Sequence, residues 1–490
     1  MPMKNFSFAL HTVAASVIAA LAVACSSDEG VAEKQPGVKE TVTLTAYQPG
    51  DEAGTRMGFD KQGDAYWHAA DKIGVWSSTD NKFSEFSLSD GAGEATATFT
   101  GETTDPKDQY AVYPYNENHK LSGSSLTYYL PDSYTYTSVD QTFFPEGNNG
   151  NSFCAPMYGQ VSDNNTVSFK HLGGVLCIKI DKMPAETGTV KVTEATNKLC
   201  GEFSATLTET DPEIKTAAAS GENFAVTFTY SGATKDAVGV FYLPVATGTY
   251  NLTIAVSGGN QTSTVKATAV EMTRTELKVV KVTTNYSDYT KDSDGTVTID
   301  GHKFIDLGLP SGTLWAETNV GATSATDYGD FFQWGDTDVT TTADCFTYTN
   351  KYYKKKNYTK YNSTDGLTEL ESSDDVAYVV WGSFCHMPTF NQMQELVNKC
   401  TNTNWGTQSS VDGRTVTGTN GKTIFLPAAG YRSGYVTSKQ GTLGYYWTSS
   451  LNASTSTRLY AYDLCVRETL WGQSDGNRDY GYSVRPVAEP

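Results

Sequence analysis

The residues able to do chemistry are concentrated in one late segment, 445–482. It carries Tyr446, Asn452, Ser454, Arg458, Tyr460, Tyr462, Asp463, Arg467, Trp471, Gln473, Asp475, Asn477, Arg478, Asp479 and Tyr480, with few aliphatic residues between them. Rigid aromatics supply contact area and small polar residues supply adaptable hydrogen bonds, so the chemistry is non-covalent recognition. Aromatic rings stack on pyranose faces while Asn, Asp and Arg bond hydroxyls; a protein or peptide receptor suits the same residues equally. Trp447, Val484 and Pro486, at the two ends, are framework. The alternative is an ordinary solvated loop surface.

Covalent and metal chemistry find little support. Cys385 and His386 are adjacent, but neighbours on an extended segment point to opposite faces and make poor catalytic partners. No HExxH or Walker motif is present, and no catalytic residue and no enzymatic activity are expected. Asp292, Asp294 and Gly295 have calcium-loop spacing, yet the first ligand position falls on Thr290 and the twelfth on Gly301, so neither a metal nor another cofactor is expected. Of the eight cysteines, Cys25 stands apart; Cys154, Cys177, Cys200, Cys345, Cys385, Cys400 and Cys465 have no CxxC spacing and no zinc signature. The last four allow two disulfides in three connectivities, or buried free thiols, which the apolar settings of Cys177 and Cys400 suit.

Composition bounds the partners. With 55 acidic against 36 basic residues the net charge is -19, a field that repels phosphate backbones and excludes nucleic acid. The one basic run, KYYKKKNYTK (351–360), suits an anionic glycan or a solvated loop. Thirty tyrosines, with Gly, Ser, Thr and Asn between short apolar runs, predict a mainly β chain.

At the N-terminus Lys4 precedes an apolar run over 8–24 that is short for a bilayer span and ends at Cys25. The sequence LAVAC (21–25) resembles a lipobox, which implies a signal peptide over 1–24, lipidation of Cys25 and an outer-membrane anchor; the alternative is a secretory signal cut near Ala24. SSDE (26–29) is similar to the signal that sends some lipoproteins to the cell surface, and 25–39 has the composition of a solvated tether.

Short strands bounded by turn residues fill 40–180 and 181–285. The first, ETVTLTAY (40–47), alternates Val42, Leu44 and Ala46 against threonines; FAVTFTY, VGVFYLPV, YNLTIAVSG and ELKVVKV follow in the second block. This series, with Thr55-Arg56 early and His171 before an apolar strand, resembles the fimbrillin-like family. The resemblance implies two transthyretin-like β-sandwich subdomains, and pilus-subunit partners joined by donor-strand exchange. Under it Arg56 marks proteolytic maturation; otherwise Arg56 is a surface turn and the first strand stays. The polar stretch 286–298 is expected to be a linker.

Across 299–490, DLGLPSGTLW, YGDFFQWGDT, MPT, IFLPAAGYR, YYWTSS and YSVRPV occur in the order that resembles the FISUMP family of surface-lipoprotein domains. That resemblance implies an α+β C-type-lectin-like fold with two helices. One helix follows Thr389, a capping box with Gln392, and buries Met393, Leu396, Val397 and Cys400; a shorter one follows Ser373 and turns Val376, Val379 and Val380 inward. No EPN, QPD or WND triplet is present, which counts against calcium-dependent hexose binding. The 445–482 layout is similar to variable segments rewritten by diversity-generating retroelements. Together the resemblances imply a cell-surface lipoprotein adhesin, a tip or accessory pilus subunit that binds a glycan or protein receptor on another cell. The alternative is a glycan-binding surface lipoprotein outside any pilus.

Overall fold

The computed structural model describes residues 39–48, 67–104, 106–136, 155–208, 212–215, 223–339, 350–354, 357–433, 436–454 and 458–489. Cys25, Arg56, Cys154 and Cys345 therefore lie outside the described residues. The chain is mainly β, as its composition requires.

Glu40–Tyr47 forms a strand over its whole length. All eight residues lie opposite Thr96–Thr103, and Leu44 and Ala46 point into a core while the threonines face out. The strand belongs to an eight-stranded sheet whose two edges are Thr166–Ser168 and Lys170–His171. These edges are consecutive in the chain, so the sheet curls round until one continuous segment serves both. Inside it Trp67 is fully buried, with Phe99, Tyr113 and Phe169 rings edge-on at 5.0, 5.3 and 5.6 Å.

A second core gathers Leu176, Ile178 and Ile180 with Val190, Val192, Val226, Phe228, Phe241, Leu252, Ile254 and Val256. Two sheets supply them, one of three strands and one of eleven. Gly174–Ile180, which the sequence places at the end of the first block, thus packs with the second core, because apolar residues along it need cover on both faces.

The stretch 286–298 corrects the linker expectation. Ser287–Lys291 pairs with Gln261–Met272 on one side and with Thr296–Ile299 on the other. The eleven-stranded sheet runs on through His302–Asp306, Leu314–Ala316, Val487–Ala488 and Cys385–His386. Buried Val297 and Ile299 pay for this order, and the polar residues serve a tight hairpin loop: Gly295 takes φ +81°, and the Asp294 carboxylate accepts from Thr296 N at 2.9 Å. Further bonds tie the last part of the chain to the second core's strands. Asn251 Nδ2 donates to Thr368 Oγ1 at 3.0 Å, Asn391 Nδ2 to Glu194 O at 3.3 Å, and Thr264 N to Ser383 O at 2.9 Å.

Two α-helices are present among the described residues. The second, α2 (Phe390–Lys399), starts at the expected capping box: Thr389 Oγ1 accepts from Gln392 N at 3.2 Å and Gln392 Oε1 accepts from Thr389 N at 2.9 Å. Met393, Leu396 and Cys400 are fully buried and Val397 is half-buried. The first, α1 (Val376–Trp381), departs from expectation. Val376 and Ala377 are buried, whereas Val379 and Val380 are 49% and 53% exposed. The helix is rotated because its anchors are carboxylates: Asp375 caps it by accepting from Tyr378 N at 3.2 Å, and Asp374 is buried as well.

Candidate binding face

Leu443–Leu451, Tyr460–Arg467 and Leu470–Asn477 form a three-stranded antiparallel sheet. Its register pairs Tyr460 with Asn477, Tyr462 with Asp475, Leu464 with Gln473 and Val466 with Trp471, so all eight share one face. Half of that face is core: Leu464 and Val466 pack with Met393 and Leu396 of α2. The other half opens outward. Tyr460 is 36% exposed, Asp475 is exposed, and Tyr462 and Asn477 are half-buried.

A hydrogen-bonded rim holds these groups in place. Asn452 Nδ2 donates to Asp475 Oδ2 at 2.9 Å, while Asn452 Oδ1 accepts from Ser454 N at 3.0 Å and Ser454 Oγ at 2.5 Å. The Tyr462 ring lies 4.4 Å from Phe390, and Gln473 Nε2 donates to Phe390 O at 2.9 Å. Arg458, at φ +47°, donates to Leu367 O at 3.3 Å. Burial, and then the Asp475 charge, raise the Tyr462 pKa, so its hydroxyl remains a neutral donor. Two tyrosines, a carboxylate and two carboxamides on one preorganised surface can stack on a ring and bond its polar substituents.

Seven of the expected residues therefore gather: Asn452, Ser454, Arg458, Tyr460, Tyr462, Asp475 and Asn477, with Gln473 beneath them. The remaining seven are placed elsewhere. Tyr446 is fully buried; its hydroxyl donates to Pro427 O at 2.6 Å and its pKa is pushed up to about 12 by burial. Asp463 lies on the opposite face, fully buried, and burial pushes its pKa up to about 8 with only the cross-strand Ser474 hydroxyl working the other way. Arg467 shares that opposite parity, beside Cys465. Trp471 sits at the core end of the face under the Arg414 guanidinium, 5.9 Å from its ring centre. Arg478 is fully buried and donates to Tyr361 O, Arg458 O and Lys360 O at 3.2–3.3 Å; burial lowers its pKa to about 10. Asp479 is 2% exposed, its Oδ1 accepting from Tyr358 Oη at 3.2 Å. Tyr480 joins a separate ring cluster with Tyr431 and Tyr482 at 5.8 and 6.1 Å.

Phe390, which backs Tyr462, belongs to this site and is not among the residues the sequence singles out. Its signal is the apolar residue directly after the Thr389 cap, where a first-turn side chain reaches past the helix end.

The other candidates resolve locally. Lys351 and Lys360 of the basic run are neutralised by Asp374 at 3.2 and 2.6 Å, which also accepts from Tyr361 Oη at 2.5 Å. Cys177, Cys385, Cys400 and Cys465 are buried free thiols, and Cys200 is buried with its Sγ donating to Ala225 O at 3.4 Å. Cys385 Sγ donates to Ala377 O at 3.5 Å, and burial holds its pKa well above the usual thiol range. His386 turns instead to Met387 O at 2.7 Å and to Glu489, 3.7 Å from its Nε2, so the two side chains do not meet. Among the described residues no cluster of three His, Cys, Asp or Glu side chains is placed to hold a metal.

No family model matches this chain, and no curated protein does either. Solved structures give distant likenesses. A candidate cell adhesion protein from Bacteroides ovatus ATCC 8483 matches at TM-score 0.32 and 13% identity, over 51% of this chain and 96% of its own. The tip fimbrial protein Mfa3 of Porphyromonas gingivalis, truncated at its C-terminus, matches at TM-score 0.22 and 11% identity, over 54% of this chain and 98% of its own. A fimbrial protein from Bacteroides ovatus ATCC 8483 covers 93% of this chain and 100% of its own at TM-score 0.21 and 9% identity. At such scores no residue's role is taken from any of them.

Proposed function

We propose that this chain is a cell-surface lipoprotein adhesin, a tip or accessory pilus subunit whose last 192 residues, 299–490, form a C-type-lectin-like head that binds a receptor on another cell. The observation that carries the reading is the outward half of the three-stranded sheet. Tyr460, Tyr462, Asp475 and Asn477 project together from adjacent strands, and Asn452 and Ser454 fix their rim by hydrogen bonds. Stacking rings beside a fixed carboxylate and carboxamides suit a glycan or a polar protein surface. Lipidation of Cys25 would hold the chain at the outer membrane, and the two β cores would act as a stalk. In a pilus, cleavage at Arg56 would free Glu40–Tyr47 from beside Thr96–Thr103 and leave a groove for a neighbour's donor strand.

The test is binding of the whole chain to glycan and host-protein arrays, beside a Tyr460→Ala, Tyr462→Ala, Asp475→Ala, Asn477→Ala variant. Loss of a specific signal in a variant that still melts cooperatively supports the adhesin. A signal that survives the four changes, or none from the native chain, removes the face from the proposal. Incubation of trypsin-nicked protein with a synthetic donor-strand peptide tests the pilus role, because occupancy of the groove raises the melting temperature.

A further inference from the structure

We propose that Lys266 and Asp375 condense into an intramolecular amide, a covalent cross-link between the strand Gln261–Met272 and the N-cap of α1. The inference is independent of what the binding face recognises. Lys266 Nζ lies 2.6 Å from Asp375 Oδ2, with the two side chains 2% and 0% exposed. The carboxyl group cannot turn away. Met387 N donates to both its oxygens at 3.0 Å, and Tyr378 N donates to Oδ1 at 3.2 Å. The amine is aimed by its strand, where Lys266 stands opposite Thr253.

Two groups fixed in contact react as if at concentrations of about 10⁵ M or more, and a site without water lacks the reagent for the reverse hydrolysis. Condensation also removes two charges from a place where charge is costly to keep. A third buried acid adjoins the pair electrostatically. Glu369 is 3% exposed, and its Oε2 accepts from Ser450 Oγ at 2.7 Å. Burial raises its pKa, with Lys266 acting in the opposite direction and Asp375 adding to the rise, so it suits a proton relay.

The step balances without any further reactant. The Lys266 nitrogen gives up a proton to become a neutral amine, and its lone pair attacks Asp375 Cγ. A C–N bond forms, the Cγ–Oδ2 bond breaks, and that oxygen leaves as water with the two protons the nitrogen has lost, one of them relayed by Glu369. An ammonium and a carboxylate thus become one amide and one water. Lys360 and Asp374 provide a contrast within the same chain. They also stand 2.6 Å apart, but Lys360 is 24% exposed and is shared with Glu371, so water has access and the amine has a competing partner.

The test is peptide mapping of the full chain after denaturation and trypsin digestion. The expected product is a branched peptide joining the segments around residues 266 and 375, lighter by one water, with no cleavage after Lys266 in most copies. Lys266→Arg is expected to abolish the branch, and Glu369→Gln to reduce it many-fold. Recovery of the two segments only as separate peptides of full mass from native protein overturns the proposal, whatever the variants do. So does a water loss that maps elsewhere, as it would for a cyclised Asp294-Gly295 step.

Discussion

The guanidinium of Arg478 lies 3.7 Å from the centre of the Tyr358 ring and 4.8 Å from that of Trp334. A cation buried between two rings, donating to three carbonyls, is framework, and one of those carbonyls belongs to Arg458 at the rim of the binding face. Arg478→Ala leaves the rings uncovered and three acceptors unpaired, so it is expected to cost roughly 2–4 kcal/mol in urea denaturation. Arg478→Lys keeps the charge without the planar fork and should fall between. An unchanged midpoint for the alanine variant would place Arg478 outside the framework.

The outward residues should behave in the opposite way. Tyr460→Ala touches no core contact and is expected to stay within about 0.5 kcal/mol of native stability, and Asn477→Ala loses only the bond that Asp479 N donates to its Oδ1 at 3.0 Å, about 1 kcal/mol, while both weaken receptor binding. Tyr446→Ala, on the same segment but fully buried, is expected to cost roughly 3–5 kcal/mol. Thermal melts of the three variants, run beside binding assays, separate face from core.

Asp463 makes stability depend on pH with an unusual sign. Its pKa rises from the ordinary value of 3.8 to about 8 in the folded chain, so the folded state binds the proton more tightly than the unfolded one. Its contribution is neutral below about pH 4, becomes increasingly destabilising as pH rises toward 8, and levels off above that. Asp463→Asn, which cannot ionise, should therefore gain stability over this window, on the order of a few kcal/mol at pH 8 and little at pH 4. Urea midpoints of the two proteins at pH 4, 6 and 8 check it, and parallel curves would refute it.

Residues 299–490 expressed alone should be poorly stable. Asp375 would lose Lys266, and Glu489 would lose Lys191, a buried lysine whose pKa burial depresses while Glu489 and Glu395 oppose the shift. A buried acid deprived of its cation costs about 3–5 kcal/mol. The fragment is expected to melt well below the whole chain and to bind a hydrophobic dye; a fragment as stable as the whole chain would show that these charges are dispensable. Binding assays accordingly belong on the whole chain.

Local pattern alone determined a good part of this molecule. The alternation over 40–47 specified a strand and its buried face, and the Thr389–Gln392 spacing specified a capped helix and its apolar side. These features depend on neighbours within one turn or one strand, and that information is contiguous in the chain. The concentration of recognition chemistry between 445 and 482 was equally visible from residue types. What it could not reveal was parity: whether Tyr446 or Tyr460 faces out depends on which side of the sheet α2 covers, a matter settled by packing across many residues. The same holds for Arg478 and Asp479, whose polar character suggested solvent until Tyr358, Trp334 and Asn350 were placed round them. The stretch 286–298 looked like a linker because polarity was its only local signal, yet pairing with Gln261–Met272 makes it part of a sheet. The meeting of Lys266 with Asp375 also belongs to the tertiary structure, since no local rule brings together two charges so far apart in sequence, and only their burial makes them reactive.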